Sequence, residues 1–577
     1  MKKFLPFLGT ALLALLFAGC DQPGTPTSTA PTNDTAALTA ANNAIDGNEL
    51  LQHIKTLSSD DFGGRAPGSD GEDKTVNYLT DQFKKLGLKP GNPDGSYVQK
   101  VPMVGIKPDP SAELTFEGGG KKKSLKYKDD FVAWTRHIDE HAAINNSDLV
   151  FVGYGVVAPE FSWDDYKDVD VKGKTLVMLI NDPPVPDPSD PNKKDPKTFG
   201  GEAMTYYGRW TYKFEIGAKK GAAGVLIVHD KIPAGYDYNV VRDSNSGERF
   251  NLVTPDKNAN RCAIEGWITM DQAKDLFSMA GKDFAAMQKQ AISRDFKPID
   301  LGVKASVSLT STLHFVDSKN VVAKIEGSDP KLKDEYVIYT AHWDHLGTKA
   351  ELPGDKVFNG AIDNASGTSG LLEIAKGFTK LPTPPKRSIL FVSVTAEEQG
   401  LLGSQYYAEN PLYPLAKTLA NINMDELNVH GKTKDVTIVG LGNSELDDYT
   451  AAAAKEQGGR TLHSEEETGK GFYYRSDHFN FAKVGVPALD PNWGEDFVGK
   501  EQGWGKKMHD EWEEKDYHSP SDEVKPDWDM SGAVQDLQLF LTVGYRVAQA
   551  DKYPQWKSGT EFKATREAQL KASGVNQ

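Results

Sequence analysis

Cysteine is nearly absent from this chain. Its 577 residues include two cysteines, Cys20 and Cys262, and the first follows an apolar N-terminal run. If Cys20 is modified at that position, a single thiol remains. A disulfide scaffold, a cysteine-rich zinc site and an iron–sulfur cluster are then excluded.

The chain is also poor in basic charge. It has 66 Lys and Arg against 82 Asp and Glu, which gives a net charge of −16. Sequence-independent nucleic-acid binding requires positive charge to neutralise phosphates, so the composition argues against this function. With 38% hydrophobic and 26% charged residues, the chain is typical of a globular protein. At roughly 150 residues per unit, its length suggests about three or four structural units.

Long apolar runs are missing too, with one short exception at the N-terminus. A basic start, MKK, precedes an apolar run over residues 4–17, which is too short for a good membrane-spanning helix. Two small residues then precede Cys20. Residues 1–19 resemble a bacterial lipoprotein signal peptide, in which this cysteine is lipidated and becomes the new N-terminus.

This resemblance predicts the location of the protein. It implies a lipid anchor at Cys20 in the cell envelope of a bacterium, facing the periplasm, and Asp21 favours the inner membrane. An ordinary secretory signal with a coincidental cysteine is the alternative. Residues 21–44 contain Leu38 as their one large apolar side chain. Because such a segment buries too little surface to offset its ordering entropy, we predict a flexible tether over residues 20–45.

The remaining sequence divides into three segments. Residues 46–140 begin with two amphipathic helices within 49–88, separated by the turn-rich stretch GGRAPGSDG. From about residue 146, short apolar strands alternate with loops rich in Pro and Asp. With DVKGKTLVMLIND and KGAAGVLIVHD, residues 141–300 resemble a protease-associated domain inserted between 46–140 and 301–577. Another kind of α/β subdomain is the alternative.

After residue 305, buried strands alternate with helices. The stretches EYVIYTA, RSILFVSVT and LANINMD are apolar strands, and SGTSGLLEIAKGF is a helix between the first two. This pattern predicts the α/β class, with a mostly parallel mixed sheet sandwiched by helices. In such sheets, ligands bind beyond the carboxyl ends of the strands.

Five segments place histidines and carboxylates at such strand ends or in adjoining loops. They are YTAHWDHLG, NGAIDNASG, VTAEEQGLLGS, NINMDELN and DYHSPSDE. Each alone is weak evidence, because an acidic chain contains such motifs by chance. Together, two histidines and three carboxylates form a ligand set for two divalent metal ions. Two Zn²⁺ ions against three carboxylates leave one positive charge, which a bridging hydroxide would neutralise.

The order and flanks of these motifs resemble the di-zinc exopeptidase family of bacterial leucyl-type aminopeptidases. The similarity covers about 47–105 and 305–577, and many members carry a protease-associated insert between these parts. The resemblance implies the zinc exopeptidase fold and five metal ligands, His342, Asp363, Glu398, Asp425 and His518. Asp363 would bridge two zinc ions. His342 and Asp425 would hold one ion, and Glu398 and His518 the other.

The same resemblance implies three catalytic roles. Glu397 would be the general base that takes a proton from the metal-bridging water and passes it to the leaving amine. Asp344 would orient the imidazole of His342. Tyr517 would hydrogen-bond the tetrahedral oxyanion.

Two further features follow from the family pattern. Members have a cis peptide bond after the bridging aspartate, which here is the Asp363–Asn364 bond. His345 and Glu426 lie beside ligands without matching a ligand position, so we expect them to support the ligands or to face solvent.

The resemblance predicts a metallo-aminopeptidase that hydrolyses N-terminal peptide bonds. Its cofactors would be two Zn²⁺ ions, for which Co²⁺ or Mn²⁺ could substitute. A carboxypeptidase of the same fold stays open, because acidic side chains would bind an α-ammonium group, and an arginine such as Arg475 an α-carboxylate. A receptor-like homologue without metals is the non-catalytic alternative, and a glutaminyl cyclase, which typically uses one zinc, is a third.

Overall fold

The computed structural model describes residues 32–109 and 112–575. The predicted signal peptide, Cys20 and the first part of the predicted tether lie outside these residues. Fifteen α-helices lie within the described ranges: α1 (Thr32–Asn43), α2 (Gly47–Leu57), α3 (Asp70–Lys85), α4 (Trp210–Lys219), α5 (Lys231–Ala234), α6 (Tyr238–Ser244), α7 (Met270–Met279), α8 (Phe284–Gln290), α9 (Gly367–Thr379), α10 (Leu402–Glu409), α11 (Leu446–Glu456), α12 (His478–Lys483), α13 (Trp504–Lys515), α14 (Ser531–Gln549) and α15 (Lys563–Ser573).

The strands form two large sheets and one small two-stranded ribbon. They are β1 (Lys89–Pro90), β2 (Val98–Pro108), β3 (Glu113–Gly118), β4 (Lys121–Lys126), β5 (Phe131–Trp134), β6 (His141–Phe151), β7 (Val157–Ala158), β8 (Trp163–Asp164), β9 (Thr175–Leu179), β10 (Gly224–Val228), β11 (Arg249–Leu252), β12 (Ile264–Ile268), β13 (Ile299–Ile325), β14 (Tyr336–His342), β15 (Ser388–Val394), β16 (Thr418–Asn423), β17 (Asp435–Val439), β18 (Thr461–Ser464) and β19 (Ala488–Asn492).

The first sheet has the strand order β11–β2–β13–β15–β14–β16–β19–β17–β18. Its centre, β15–β14–β16–β19, is parallel, whereas β13 and β17 join it antiparallel. Alternate residues of β14 face different cores: Val337 and Tyr339 pack in one, and Tyr336 and Ile338 in the other. The predicted α/β fold with a large mixed sheet flanked by helices is confirmed, and parallel pairing is concentrated at its centre.

The second sheet has the order β4–β3–β13–β6–β9–β10–β12–β5. The long strand β13 belongs to both sheets, since residues 299–310 pair with β6 and residues 311–321 pair with β2. A single continuous strand therefore connects the two sheets.

Strands that precede residue 141, the predicted start of the insert, also belong to the second sheet. They are β3, β4 and β5. In particular, β5 lies antiparallel to β12, so that Phe131 is opposite Ile268. This pairing joins segments far apart in sequence, and the local hydrophobic pattern does not reveal it.

Residues 32–43, which fall within the predicted tether, form α1. Ala41 is fully buried, and Asn42 exchanges hydrogen bonds with α14, through Thr542 at 3.1 Å and Gln538 at 3.0 Å. A low-hydrophobicity helix is thus stabilised by docking on another helix. Among the described residues, no helix combines the length and apolarity needed to cross a membrane.

Candidate metal centre

Three neighbouring strand ends bring the predicted ligands to one edge of the first sheet. His342 is the last residue of β14, Glu397 and Glu398 follow β15, and Asp425 follows β16. Because these parallel strands are adjacent, their carboxyl ends meet at the same edge. The loop before α9 supplies Asp363 and the loop after α13 supplies His518, as the sequence predicts.

Asp363 lies at the centre of the cluster and presents its two oxygens to different partners. Its Oδ1 lies 3.2 Å from His342 Nε2, and its Oδ2 lies 3.2 Å from His518 Nε2. His342 Nε2 is also 3.1 Å from Asp425 Oδ1, and His518 Nε2 is 3.1 Å from Glu398 Oε2. One carboxylate is therefore shared between two sets that each contain one imidazole and one further carboxylate.

These distances fit two tetrahedral metal ions. Zinc bonds of about 2.0–2.1 Å place neighbouring ligand atoms roughly 3.3 Å apart in a tetrahedral site. Hydrogen bonding alone explains the contacts less well, because one imidazole nitrogen carries at most one proton, yet each Nε2 meets two carboxylate oxygens. Three buried or half-buried carboxylates with two imidazoles also suit a borderline divalent cation. The side chains present therefore fit the predicted two-ion set.

The two adjacent glutamates have different electrostatic surroundings. Burial, with the negative charge of Glu398, raises the pKa of Glu397 well above its ordinary value. Burial also acts to raise the pKa of Glu398, but hydrogen bonds with His345 and His518 outweigh it and hold that pKa at about 2. The pKa values of these two adjacent glutamates therefore differ because different side chains contact each of them.

Asp344 contacts His342, and it also contacts Glu397, which the sequence does not predict. His342 Nδ1 lies 3.2 Å from the backbone oxygen of Asp344 and 3.7 Å from its carboxylate. The same carboxylate accepts the backbone N–H of Glu397 at 3.0 Å. Burial raises the pKa of Asp344 to about 8. Asp344 therefore links the first ligand to the loop that carries Glu397.

Tyr517 stacks on the imidazole of His518. The ring centroids are 3.9 Å apart and the planes are inclined by 21°. The side chain is 39% exposed, so it is accessible to a bound molecule. Tyr517 also lines both cavities that adjoin the cluster.

Sequence reasoning missed the role of Arg65, which lies in the GGRAPGSDG turn. Its buried guanidinium donates to the backbone oxygens of Leu57, Trp343, Asn359 and Gly360, at 2.6 to 2.9 Å. The last three carbonyls lie in the loops that carry the ligands. Arg65 therefore fixes those loops, and its charge partly offsets the cluster of carboxylates.

Asp522 and His345 also support the ligands. Asp522 accepts the backbone N–H groups of Ile362 and Asp363 at 3.0 and 3.1 Å, so it orients the bridging residue. His345 is fully buried, which excludes the expectation that it faces solvent, and its Nδ1 lies 2.7 Å from Glu398 Oε1. In the sequence, these roles are signalled by position alone, because His345 lies within YTAHWDHLG and Asp522 within DYHSPSDE.

Two smaller features complete the geometry. The peptide bond between Asp363 and Asn364 is cis, as the resemblance implies. Ser476, to which the sequence assigns no role, donates its hydroxyl to Asp425 Oδ2 at 2.6 Å. Asp425 is thereby held through both of its oxygens, Oδ1 by His342 and Oδ2 by Ser476.

A cavity of about 280 Å³ opens beside Asp363, Glu397 and Asp425. Six further glutamates line it: Glu426, Glu465, Glu466, Glu467, Glu495 and Glu513. The lining includes two cations, Arg475 and Lys506, and Lys506 is paired with Asp510 at 2.8 Å. The acidic cavity, as we call it, is therefore strongly negative.

Part of the chain matches a known family model. Residues 320–542, which contain all five predicted ligands, match peptidase family M28. Aminopeptidase NAALADL1 of Mus musculus is 33% identical over 174 residues, which cover 27% of this chain and 22% of that protein. Aminopeptidase YwaD of Bacillus subtilis (strain 168) is 26% identical over 284 residues, 49% of this chain and 51% of that protein. The chain thus spans about half or less of these relatives.

Among solved structures, the chain is similar to an aminopeptidase from Aneurinibacillus sp. strain AM-1. The TM-score is 0.48 at 20% sequence identity, with 89% of this chain and 96% of that chain covered.

Proposed function

We propose that this chain is a zinc-dependent aminopeptidase that hydrolyses the N-terminal peptide bond of peptides. The arrangement around Asp363 supports this proposal most directly. Each oxygen of Asp363 lies next to one imidazole, and each of these imidazoles also contacts a second carboxylate. Glu397 and the acidic cavity adjoin this cluster. The match of residues 320–542 to peptidase family M28 supports the same class of reaction.

The chain's own side chains would hold two Zn²⁺ ions. His342 and Asp425 would bind one ion, Glu398 and His518 the other, and Asp363 both. When bound, zinc would polarise the scissile carbonyl group and increase the acidity of water at the site. The same donor set would accept Co²⁺ or Mn²⁺.

Glu397 would act as the general base. Its carboxylate would accept a proton from the attacking water and deliver it to the nitrogen of the leaving amine. The hydrogen bond from its backbone to Asp344 fixes the start of the loop on which it lies. Asp344 would therefore position both His342 and the general base.

Tyr517 would stabilise the negative oxygen that forms on the carbonyl carbon. A phenolic O–H is suited to donate a hydrogen bond to such an oxyanion, and donors already in place contribute most. Stacking on His518 restrains the ring next to the cluster.

The acidic cavity favours an aminopeptidase over a carboxypeptidase. A substrate α-ammonium group would be attracted by the glutamates that line this side of the cluster. A substrate α-carboxylate in the same cavity would meet like charges. The unblocked amino end of a peptide is therefore the end that fits there.

Two substrates test the direction of cleavage. Purified protein loaded with zinc should hydrolyse Leu-p-nitroanilide and should not hydrolyse N-acetyl-Leu-Gly, because acetylation removes the positive charge. Hydrolysis of the acetylated dipeptide alone would support the carboxypeptidase. Absence of both activities, with no zinc retained after dialysis, would support the receptor-like alternative.

We also propose that Cys20 carries a lipid anchor and that the enzyme faces the periplasm of a bacterium. The apolar run over residues 4–17, followed by small residues and Cys20, supports this proposal. Two acyl chains or more anchor a protein stably, whereas one chain binds a membrane only marginally. Cys20→Ser should move the protein from the membrane fraction to the soluble fraction with the same specific activity. Wild-type protein without lipid would contradict the anchor.

A further inference from the structure

A second cavity, of about 510 Å³, lies on the other side of the cluster. It reaches from Glu397, Glu398 and His518 to side chains of the second sheet and its loops. Unlike the acidic cavity, it is lined by several cations: Arg136, Arg209, Arg249, Arg261, Arg475 and Lys483. We call this space the insert-side cavity.

Two carboxylates that line this cavity, Glu215 on α4 and Glu265 on β12, already have partners. Glu265 accepts from Arg136 at 2.9 Å and from Trp134 at 3.0 Å. Glu215 lies 2.5 Å from Lys483 Nζ and accepts the hydroxyl of Tyr206. These acids neutralise Arg136 and Lys483. Glu248, a third carboxylate of the lining, lies 3.6 Å from His314. Among the described residues, no carboxylate pairs with the other guanidinium groups of the cavity.

Arg209 is the clearest case of an unmatched cation. Its Nε is buried and has no hydrogen-bond partner, and its guanidinium makes no ion pair with any described residue. Burial, and then the neighbouring charge of Arg475, lower its pKa to about 10, so it stays charged at neutral pH. Arg209 is half-buried as a residue, and a guanidinium that is partly shielded from water and has no carboxylate partner favours a ligand of opposite charge.

Arg475 lies at the junction of the two cavities, since it lines both. It rests 4.9 Å from the ring of Phe472 and donates to the backbone oxygen of Lys470, and it has no carboxylate partner among the described residues. The loop before it packs on Arg209, whose Cδ would lie 3.4 Å from a Cβ placed at Gly471. Arg209 and Arg475 both line the insert-side cavity, so two guanidinium groups without a carboxylate partner share one site.

The two cavities give the cleft opposite charges on the two sides of Glu397. A dipeptide has the same polarity, with an ammonium group before its peptide bond and a carboxylate after it. Guanidinium groups bind carboxylates through paired N–H donors, which makes them specific for this group.

We propose that Arg209 and Arg475 form a subsite for a substrate carboxylate on the insert side of the scissile bond, so that dipeptides are preferred substrates. The inference rests on the aminopeptidase activity proposed above. The carboxylate is either the C-terminus of a dipeptide or the side chain of an acidic second residue. Both sources offer the same chemistry, and substrates can distinguish them.

The test compares matched substrates on the full-length, zinc-loaded protein. We expect kcat/KM to be about tenfold or more higher for Leu-Gly than for Leu-Gly amide, since charged hydrogen bonds are among the strong ones. Leu-Glu amide against Leu-Gln amide tests the side-chain source. In Arg209→Gln and in Arg475→Gln, the preference for the charged substrate should fall about tenfold or more.

A control and the contrary outcomes make the test decisive. Arg242→Gln, at a half-exposed arginine on α6 that lines neither cavity, should keep the substrate preference. Equal rates for charged and amidated substrates, or a preference unchanged in both variants, would overturn the subsite. Arg475 is exposed, so its variant should fold even if the Arg209 variant does not.

A different result would contradict the aminopeptidase proposal itself. If the protein hydrolyses N-acetyl-Leu-Gly and not Leu-p-nitroanilide, the direction of cleavage is wrong. The ratio of kcat/KM for N-acetyl-Leu-Gly to kcat/KM for its amide is then measured in wild type and in Arg475→Gln. This ratio tests the subsite independently of the direction of cleavage.

Discussion

The two sheets of this molecule have similar centres and different strand ends. Both contain parallel strands buried on both faces, and polar residues follow those strands in both. In the second sheet, Asp182 after β9 accepts the hydroxyl and the N–H of Thr205, both at 2.7 Å. His229 after β10 lies 3.0 Å from the backbone oxygen of Tyr236. In the first sheet, histidines and carboxylates instead face one another.

This difference shows what distinguishes a metal-binding strand end from one whose polar residues only support the fold. The polar groups at these two strand ends, Asp182 and His229, are satisfied locally, so they need no ligand. Around Asp363, in contrast, carboxylates and imidazoles converge in numbers that hydrogen bonds alone do not satisfy. A polar residue that follows a parallel strand is therefore not enough to indicate an active site. Several such residues that face one another do indicate one.

The largest effect should come from Glu397, at the end of β15. Glu397→Gln should lower kcat/KM for Leu-p-nitroanilide about 10²- to 10⁴-fold, the usual contribution of general acid–base catalysis, and should keep both zinc ions. Asp230→Asn, after β10 in the second sheet, is the matched control and should leave the rate unchanged. Zinc loss in Glu397→Gln would contradict the role assigned to this residue.

A smaller effect should follow from Arg65, which holds the loops of the first sheet. Arg65→Met should weaken zinc binding about 10- to 100-fold, as loss of groups that support metal ligands generally does. Titration with zinc in the presence of a competing chelator measures this.

Arg566→Met is the matched control for Arg65. This buried arginine also donates to backbone oxygens, those of Leu415 and Thr418, but it lies away from the ligand loops. Its loss should reduce the free energy of unfolding and leave zinc affinity unchanged. Equal weakening of zinc binding in both variants would show a general effect of instability.

The smallest effect, a change in stability, should come from a carboxylate–imidazole pair whose two members hydrogen-bond each other and so need no metal ion. His463 Nε2 lies 3.1 Å from Asp435 Oδ2, and this hydrogen bond raises the pKa of His463 from 6.5 to about 9. The pair therefore stabilises the folded state fully below pH 6.5, and this contribution is lost as the pH rises through 9. His463→Gln should lower the midpoint of urea unfolding at pH 6 and have little effect at pH 10. An equal shift at both pH values would exclude the pair as its cause.

Local pattern was sufficient to predict the parallel centre and the strand ends that carry polar residues, and the family resemblance supplied the five candidate ligands. Apolar runs such as EYVIYTA define the strands, and His342 and Asp425 follow directly from where these strands end. Arg65 and Asp522 could not be predicted in the same way. Arg65 donates to Trp343, 278 residues away, and Asp522 accepts from Ile362, 160 residues away. Such roles arise from tertiary contacts, as does the pairing of β5 with β12.

The measurement that tests the central claim most directly is the zinc content of wild type and Asp363→Ala. Elemental analysis after dialysis should find two zinc ions per wild-type chain. Asp363→Ala should lose both ions, because each set of ligands includes one oxygen of this carboxylate. Circular dichroism should show that the variant retains its secondary structure. Two zinc ions retained by folded Asp363→Ala would contradict the shared carboxylate, and with it the proposed metal centre.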